Sequence, residues 1–401
     1  MRTSRHSASR RTLPAFTGRV AAYALVGAVL VLFTIVIPRV ASFELPAVIS
    51  DTGDTGEGRI LDIVSSSAEE TPDGRVVTEQ VEVAFRGERI LIDRTYREGG
   101  VDAFEVRPDA RVLVTVYETP DGASSYFLRD HVRTVPIWAF SLLFALAVVL
   151  VGGWQGAWSL LGLVASFLLI LRFIVPGILS GHDPLTIAIA GSLAIMLSTL
   201  LLAHGPSART WIAVGGTAVS LLLTGLLATF AVRAATLSGL ASEDAATLSA
   251  ITEGAIDARG LLLGGIIIGT LGVLDDITTA QSAAVFELRR ANRAFGASEL
   301  YARAMSIGRE HIAATANTLV LAYAGASLPL LMILAVQPAP FGILISLESL
   351  STEIVRTLVG SIGLVAAVPI TTGLAAVLVG RGLVEARDPI EETAPQEAPR
   401  G

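Results

Sequence analysis

Asp275 and Asp276 follow an apolar, glycine-rich run that opens at Arg259-Gly260. If that run is a membrane helix, the two carboxylates come about 25 Å along it from Gly260, near the cytoplasmic end of the hydrocarbon core. Carboxylates at that depth are costly unless they pair, take up protons or line a wet cavity. One reading makes Asp276 the N-cap of a following helix from Ile277 to about Ala291, with Thr278 and Thr279 in its first turn. The other builds a proton or cation site from the Asp pair, Thr278, Thr279 and Gln281 at a break between two helices, an arrangement found in transporters. Mutual repulsion between adjacent carboxylates in a low dielectric suits proton coupling.

Further polar groups lie on neighbouring stretches. Asn317 and Thr318 interrupt an apolar segment that opens with Arg309-Glu310-His311; Asn317 either hydrogen-bonds a neighbouring helix or faces the same cavity as Asp275, and His311 reads as a solvated residue. Glu253 and Asp257 stand four apart and share one face if their loop is helical. With Glu243, Asp244 and Glu353 they form either a cation-gathering outer entrance or a solvated acidic loop. Gly260 and Gly264, then Gly265 and Gly269, are spaced at four, which clears a helix face for close packing. An intramembrane aspartyl protease would need a second deep carboxylate opposite Asp275, and no other apolar segment supplies one.

Composition narrows the chemistry. The 401 residues are 52% hydrophobic and 16% charged, with mean hydropathy +0.65, whereas soluble chains carry about 25% charged residues. Most of the apolar surface is therefore expected to face lipid. Cysteine is absent and all 29 basic residues are Arg, which excludes disulfides, thiolate metal sites, a lysine Schiff base and a Gly-Lys phosphate loop. The net charge of −7 and the lack of a basic stripe argue against nucleic acid as a partner. No cofactor is implied; the metal question stays open, with hard cations or protons favoured over soft metals.

These residues must be positioned by membrane helices. A basic tail (1–19) precedes an uncharged run at 20–37, read as a first helix with its N-terminus inside. Val40-Ala41-Ser42 could pass as a processing site, but the run is longer than the ~7–15 apolar residues of a signal peptide. Residues 42–134 change to soluble composition, with alternation in Val81, Val83 and Phe85 against Gln80 and Glu82, and in Val112, Val114 and Val116 against Arg111, Thr115 and Tyr117. Turns at Asp73-Gly74, Arg86-Gly87 and Asp121-Gly122 complete the pattern of a small β-rich domain, an OB-like barrel or sandwich. Seven further apolar segments follow, at about Val135–Val151, Ala157–Val175, Leu185–Ala203, Trp211–Val232, Gly260–Leu274, Ile312–Val336 and Ile354–Val379, which with the first makes about eight spans. The Asp275–His311 segment, with five Arg, and the Ala203–Thr210 loop, with Arg209, alternate with Arg-free loops at Leu237–Asp257 and Gln337–Glu353. That alternation puts both termini in the cytoplasm and the β-rich domain outside. Trp138, Trp154, Trp158 and Trp211 fall near expected helix ends, Arg172, Arg233 and Arg356 lie where they can snorkel, and 380–401 is a Pro- and Glu-rich cytoplasmic tail.

Three motifs in order, Ile256-Asp257-Ala258-Arg259-Gly260 running into Leu274-Asp275-Asp276, Ile307-Gly308-Arg309-Glu310-His311-Ile312, and Asn317-Thr318-Leu319-Val320-Leu321-Ala322-Tyr323 with Leu328-Pro329-Leu330, resemble the YibE/F family of bacterial multi-pass membrane proteins. The resemblance spans roughly 135–379. It implies a bacterial inner-membrane location and an N-terminal extracytoplasmic domain, and assigns no substrate. Many relatives carry a single Asp after the glycine-rich helix where this chain has two, and Asp275 is the favoured one.

The expected function is transport of a small solute or ion across the plasma membrane, with Asp275 or Asp276 as the coupling group. No inverted repeat is evident, which leaves a homo-oligomer as a route to a pathway. The alternative is a non-transporting scaffold or envelope-assembly factor whose β domain binds a partner of unknown identity.

Overall fold

The computed structural model describes residues 15–43, 53–72, 74–100, 104–118 and 124–384. The tail through residue 14, the Asp121-Gly122 turn and the C-terminal stretch from 385 lie outside the described residues. The chain divides into two units, residues 47–150, which hold all five strands, and residues 1–46 with 151–401, built on helices.

Residues 47–150 hold five antiparallel strands: β1 (Asp54–Thr71), β2 (Gly74–Phe85), β3 (Glu88–Arg97), β4 (Arg111–Glu118) and β5 (Ser124–His131), in the order β3-β2-β1-β4-β5. The 18-residue β1 pairs with β2 over Gly58–Thr71 and with β4 over Asp54–Arg59, and register shifts at Ile60/Asp62 and Ile63/Ser65 bend it. The sheet curls until its outer strands, β3 and β5, approach each other. The alternation that marked β2 and β4 has a direct cause: Ile60, Val81, Val83, Ile92, Val112 and Val114 make a single apolar core, each at most 2% exposed. Arg86 and Gly87, both at positive φ (50° and 89°), form the tight β2–β3 turn. Thr115 was expected on the polar face of β4 and is instead buried; its hydroxyl is paired with that of Thr55 at 2.9 Å, which makes burial tolerable.

The described residues are mostly helical. They comprise α1 (Ala15–Val31, continued by a π turn and Ile37–Val40), α2 (Thr134–Leu179), α3 (Pro184–His204), α4 (Ala208–Ala234), α5 (Glu243–Ile251), α6 (Ala258–Ala291), α7 (Ala297–Ala326), α8 (Leu328–Ala335), α9 (Phe341–Leu344) and α10 (Glu348–Gly380). Among them six are long and apolar enough to cross a membrane, or seven if the bent pair α7 and α8 is one span. Two of the expected segments are joined in α2, whose one non-helical residue is Gly153 (φ 57°, ψ −140°).

Two expectations are corrected here. The segment Ile312–Val336 is not one straight helix: α7 begins well upstream, at Ala297, and the chain bends by 67° at Ser327 into α8. Pro329 lacks a backbone N–H and so favours a helix start there. The Asp pair does not lie at a break, and Asp276 caps nothing: α6 runs unbroken for 34 residues, roughly 51 Å, so both carboxylates sit mid-helix. Ile277, Val285 and Phe286 extend the buried face of α6 beyond the Asp pair, and this packing holds the helix through it.

The helical core centres on α4, α6 and α10. Ile266, Ile267, Leu274, Ile277, Leu221 and Leu364 are fully buried. Small residues let the helices approach: the Thr371 side chain of α10 fills the space over Gly216 of α4, and Thr224 of α4 that over Gly363 of α10. Gly260 and Gly264 likewise meet Pro184 and Ala188 of α3, and Gly269 meets the Tyr323 hydroxyl of α7. Gly265, expected on the same packing face, has no neighbour within 4 Å and is exposed.

Candidate functional site

Asp275 and Asp276, adjacent in sequence, point in different directions because successive helical residues are rotated by about 100°. Asp275 turns toward α3 and α4. Its Oδ2 accepts a hydrogen bond from Thr199 Oγ1 of α3 at 3.2 Å, and its Oδ1 is shut off from solvent with no hydrogen-bond partner among the described residues. Thr199 shares that one hydroxyl proton with its own helix, lying 3.0 Å from the Ile195 carbonyl and 3.1 Å from that of Met196. Thr217 of α4, close enough to Asp275 to interact, has its hydroxyl paired with Thr278 at 2.6 Å. Thr278 also lies 3.3 Å from the Asp275 backbone carbonyl. Thr279, one turn beyond Asp275 on the same face, has a buried hydroxyl without a partner.

A stripe of buried hydroxyls runs along the same helices. Ser220, Thr224 and Thr270 satisfy themselves on carbonyls of their own helices, at 2.7, 2.8 and 2.6 Å. Gln281 joins the stripe from α6, accepting from Thr372 of α10 at 2.8 Å and packing against Gly308 of α7. Ser282 reaches the Arg209 carbonyl at 2.9 Å and so ties α6 to the start of α4.

Asp276 is exposed, and the imidazoles that interact with it are those of His311 of α7 and His204 at the end of α3. His311 is therefore exposed beside a carboxylate, midway along α7 rather than at its start. Asn317 and Thr318 are exposed on α7, and Thr318 bonds only its own Ala314 carbonyl, at 3.0 Å; they do not join the Asp275 cluster. Glu253 and Asp257 do not share a helical face. α5 ends at Ile251, Glu253 sits in a turn at φ 51°, and Asp257 caps α6 by accepting the Arg259 N–H at 3.1 Å. Among the described residues no three His, Asp or Glu side chains are grouped to hold a metal ion.

The arrangement is thus one enclosed carboxylate with hydroxyls from three helices around it, and a second, open carboxylate beside two imidazoles. Such a set can take up and release a proton or hold a small cation. A family model for YibE/F-like proteins matches residues 140–381, from within α2 to the end of α10. The chain belongs to that family. The YibE/F-like region contains every residue of the Asp275 cluster and none of the five strands. No curated protein and no solved structure matches the chain.

Thr199, Thr217, Thr372 and His204 escape a reading of the sequence that looks for carboxylates. Their signal is faint: hydroxyls recur along apolar stretches at helical spacing, as in Thr217, Ser220 and Thr224, but the pattern does not say which of them meets Asp275.

Proposed function

We propose that this YibE/F-like protein is a transport protein of the bacterial plasma membrane that moves a small solute or ion, with Asp275 as its coupling group. The observation that supports it is Asp275 Oδ1, enclosed and unpartnered in the middle of an apolar helix. A carboxylate serving only structure would be expected to have both oxygens satisfied, since an unmet buried polar group costs about 1–3 kcal/mol. Taking α2 as two spans divided at Gly153, and α7 with α8 as one, makes eight spans; Arg-rich ends of α6 and α7 then face the cytoplasm with both termini. The strand order and curl support an OB-like barrel, which this topology places outside.

The test replaces both Asp275 and Asp276 by Asn and compares elemental and metabolite profiles of cells with wild type, variant and no protein. Wild type should shift at least one solute, and the double variant should insert and accumulate normally but match cells without the protein. A double variant that still produces the wild-type profile removes Asp275 from the mechanism.

A second reading is favoured by the five strands, which have their own core and lie outside the family match. In that reading the protein is a scaffold whose β unit binds a partner. Restoration of a deletion phenotype by the β unit on an unrelated membrane anchor would decide for it.

A further inference from the structure

A cavity of about 390 Å³ opens at the other end of α6 from the Arg-rich one, between the starts of α3 and α6 and the end of α4. It lies about 25 Å along the helix from Asp275 and shares no residue with that cluster. Four charged side chains line it: Arg233, Arg259, Asp183 and Asp257. Among the described residues none of these four forms an ion pair.

Three of the four are held in place by other means. Arg259 Nε donates to the Leu237 carbonyl at 3.0 Å, and Glu348, whose carboxylate accepts from the Ser238 N–H and hydroxyl and the Gly239 N–H, lies near enough to feel its charge without an ion pair forming. Asp183 uses Oδ2 for the Thr186 N–H (2.8 Å) and hydroxyl (2.5 Å), and Asp257 uses Oδ1 for the Arg259 N–H, so each keeps one oxygen uncommitted. Arg233, in the last turn of α4, has no hydrogen bond among the described residues. Leu185, Val232 and Leu263 supply apolar wall between the charges. The volume falls within the ~300–1,000 Å³ range of small-molecule sites.

Two cations and two anions that line one cavity beside an apolar wall are complementary to a ligand that carries both charges. We propose that this cavity binds a small zwitterion, its anionic group held by Arg233 and Arg259 and its ammonium by Asp183 and Asp257. That chemistry belongs both to an α-amino acid in water and to the ethanolamine phosphate headgroup of a lipid. The site is separate from the transport reading and stands without it.

The test is calorimetric titration of the full chain, purified in detergent, with L-leucine and with glycerophosphoethanolamine. The single-charge analogues 4-methylpentanoate and 3-methylbutylamine are titrated alongside. At least one zwitterion should bind, with both single-charge analogues at least tenfold weaker. Leucine alone binding points to a solute, and the headgroup alone to a lipid. Arg233→Gln should weaken binding at least tenfold with an unchanged unfolding temperature, and Asp183→Asn, which keeps a capping side chain, should weaken it as well. The Asp275→Asn, Asp276→Asn double variant should bind as wild type does, which separates this site from the coupling group. Absence of binding by either zwitterion, equal binding of an analogue, or an Arg233→Gln variant indistinguishable from wild type overturns the proposal.

Discussion

Asp275 and Asp276 carry the same charge one residue apart, and what distinguishes them is the third dimension. Asp275 faces two helices and shares one weakly committed hydroxyl, while Asp276 is exposed beside His204 and His311. Single substitutions should therefore differ. Asp275→Asn is expected to remove the solute shift that wild type produces in cells, and Asp276→Asn to keep most of it. Equal loss in both variants would mean that the pair acts as a unit and that enclosure is not what matters. Thr199→Val tests the same idea from the partner's side, because it removes the donor to Oδ2 and little else. It should lower stability by about 1 kcal/mol in thermal unfolding of the purified protein and reduce the solute shift. No change in either measurement would show that the 3.2 Å contact carries nothing.

At the scale of the helices, close approach depends on glycines that receive threonines, and this can be separated from glycines that receive nothing. A methyl group on Gly363 would collide with Thr224 Oγ1 and come within 3.2 Å of its Cβ and Cγ2, atoms too near the backbone to swing away. Gly363→Ala should destabilise the protein by about 1–3 kcal/mol through overpacking. Gly265→Ala meets nothing within 4 Å and should be neutral or stabilising by up to about 1 kcal/mol through helix propensity. Thermal unfolding in detergent compares the two directly, and equal effects would remove the Thr-into-Gly account of the α4–α10 contact. The sequence showed Gly260 and Gly264 as a packing face because their spacing is local, but the Gly216–Thr371 and Gly363–Thr224 pairs join residues more than a hundred positions apart and leave no local trace. For the same reason β2 and β4 were legible from alternation, whereas the continuity of α6 was not. Two adjacent Asp residues look like a helix end when their surroundings are unknown, and it is the tertiary burial of Ile277, Val285 and Phe286 that carries the helix past them. Asn317 misled in the opposite direction, since a lone amide in an apolar stretch looks inward until the helix is rotated into place.

For the whole molecule, the two units pose opposite solvation problems. The strand unit closes its own core with Ile60, Val81, Val83 and Val112, while the helical unit leaves Leu222, Leu226 and Phe230 of α4 exposed in a row that water would penalise. A bilayer resolves both demands if the β unit projects into water on one side and the Arg-bearing ends of α6 and α7 stay on the other. The absence of cysteine makes this directly testable, because any thiol introduced is the only one in the chain. Ser67 in β1 and Ser298 at the start of α7 are both exposed and suit the purpose. With a membrane-impermeant maleimide, Ser67→Cys should label in cells whose inner membrane is intact, and Ser298→Cys only after that membrane is permeabilised. The reverse pattern would invert the proposed topology and put the zwitterion cavity on the cytoplasmic face. Labelling of both positions in intact cells would mean that α6 and α7 do not separate the two compartments, and Asp275 would then have no membrane to couple across.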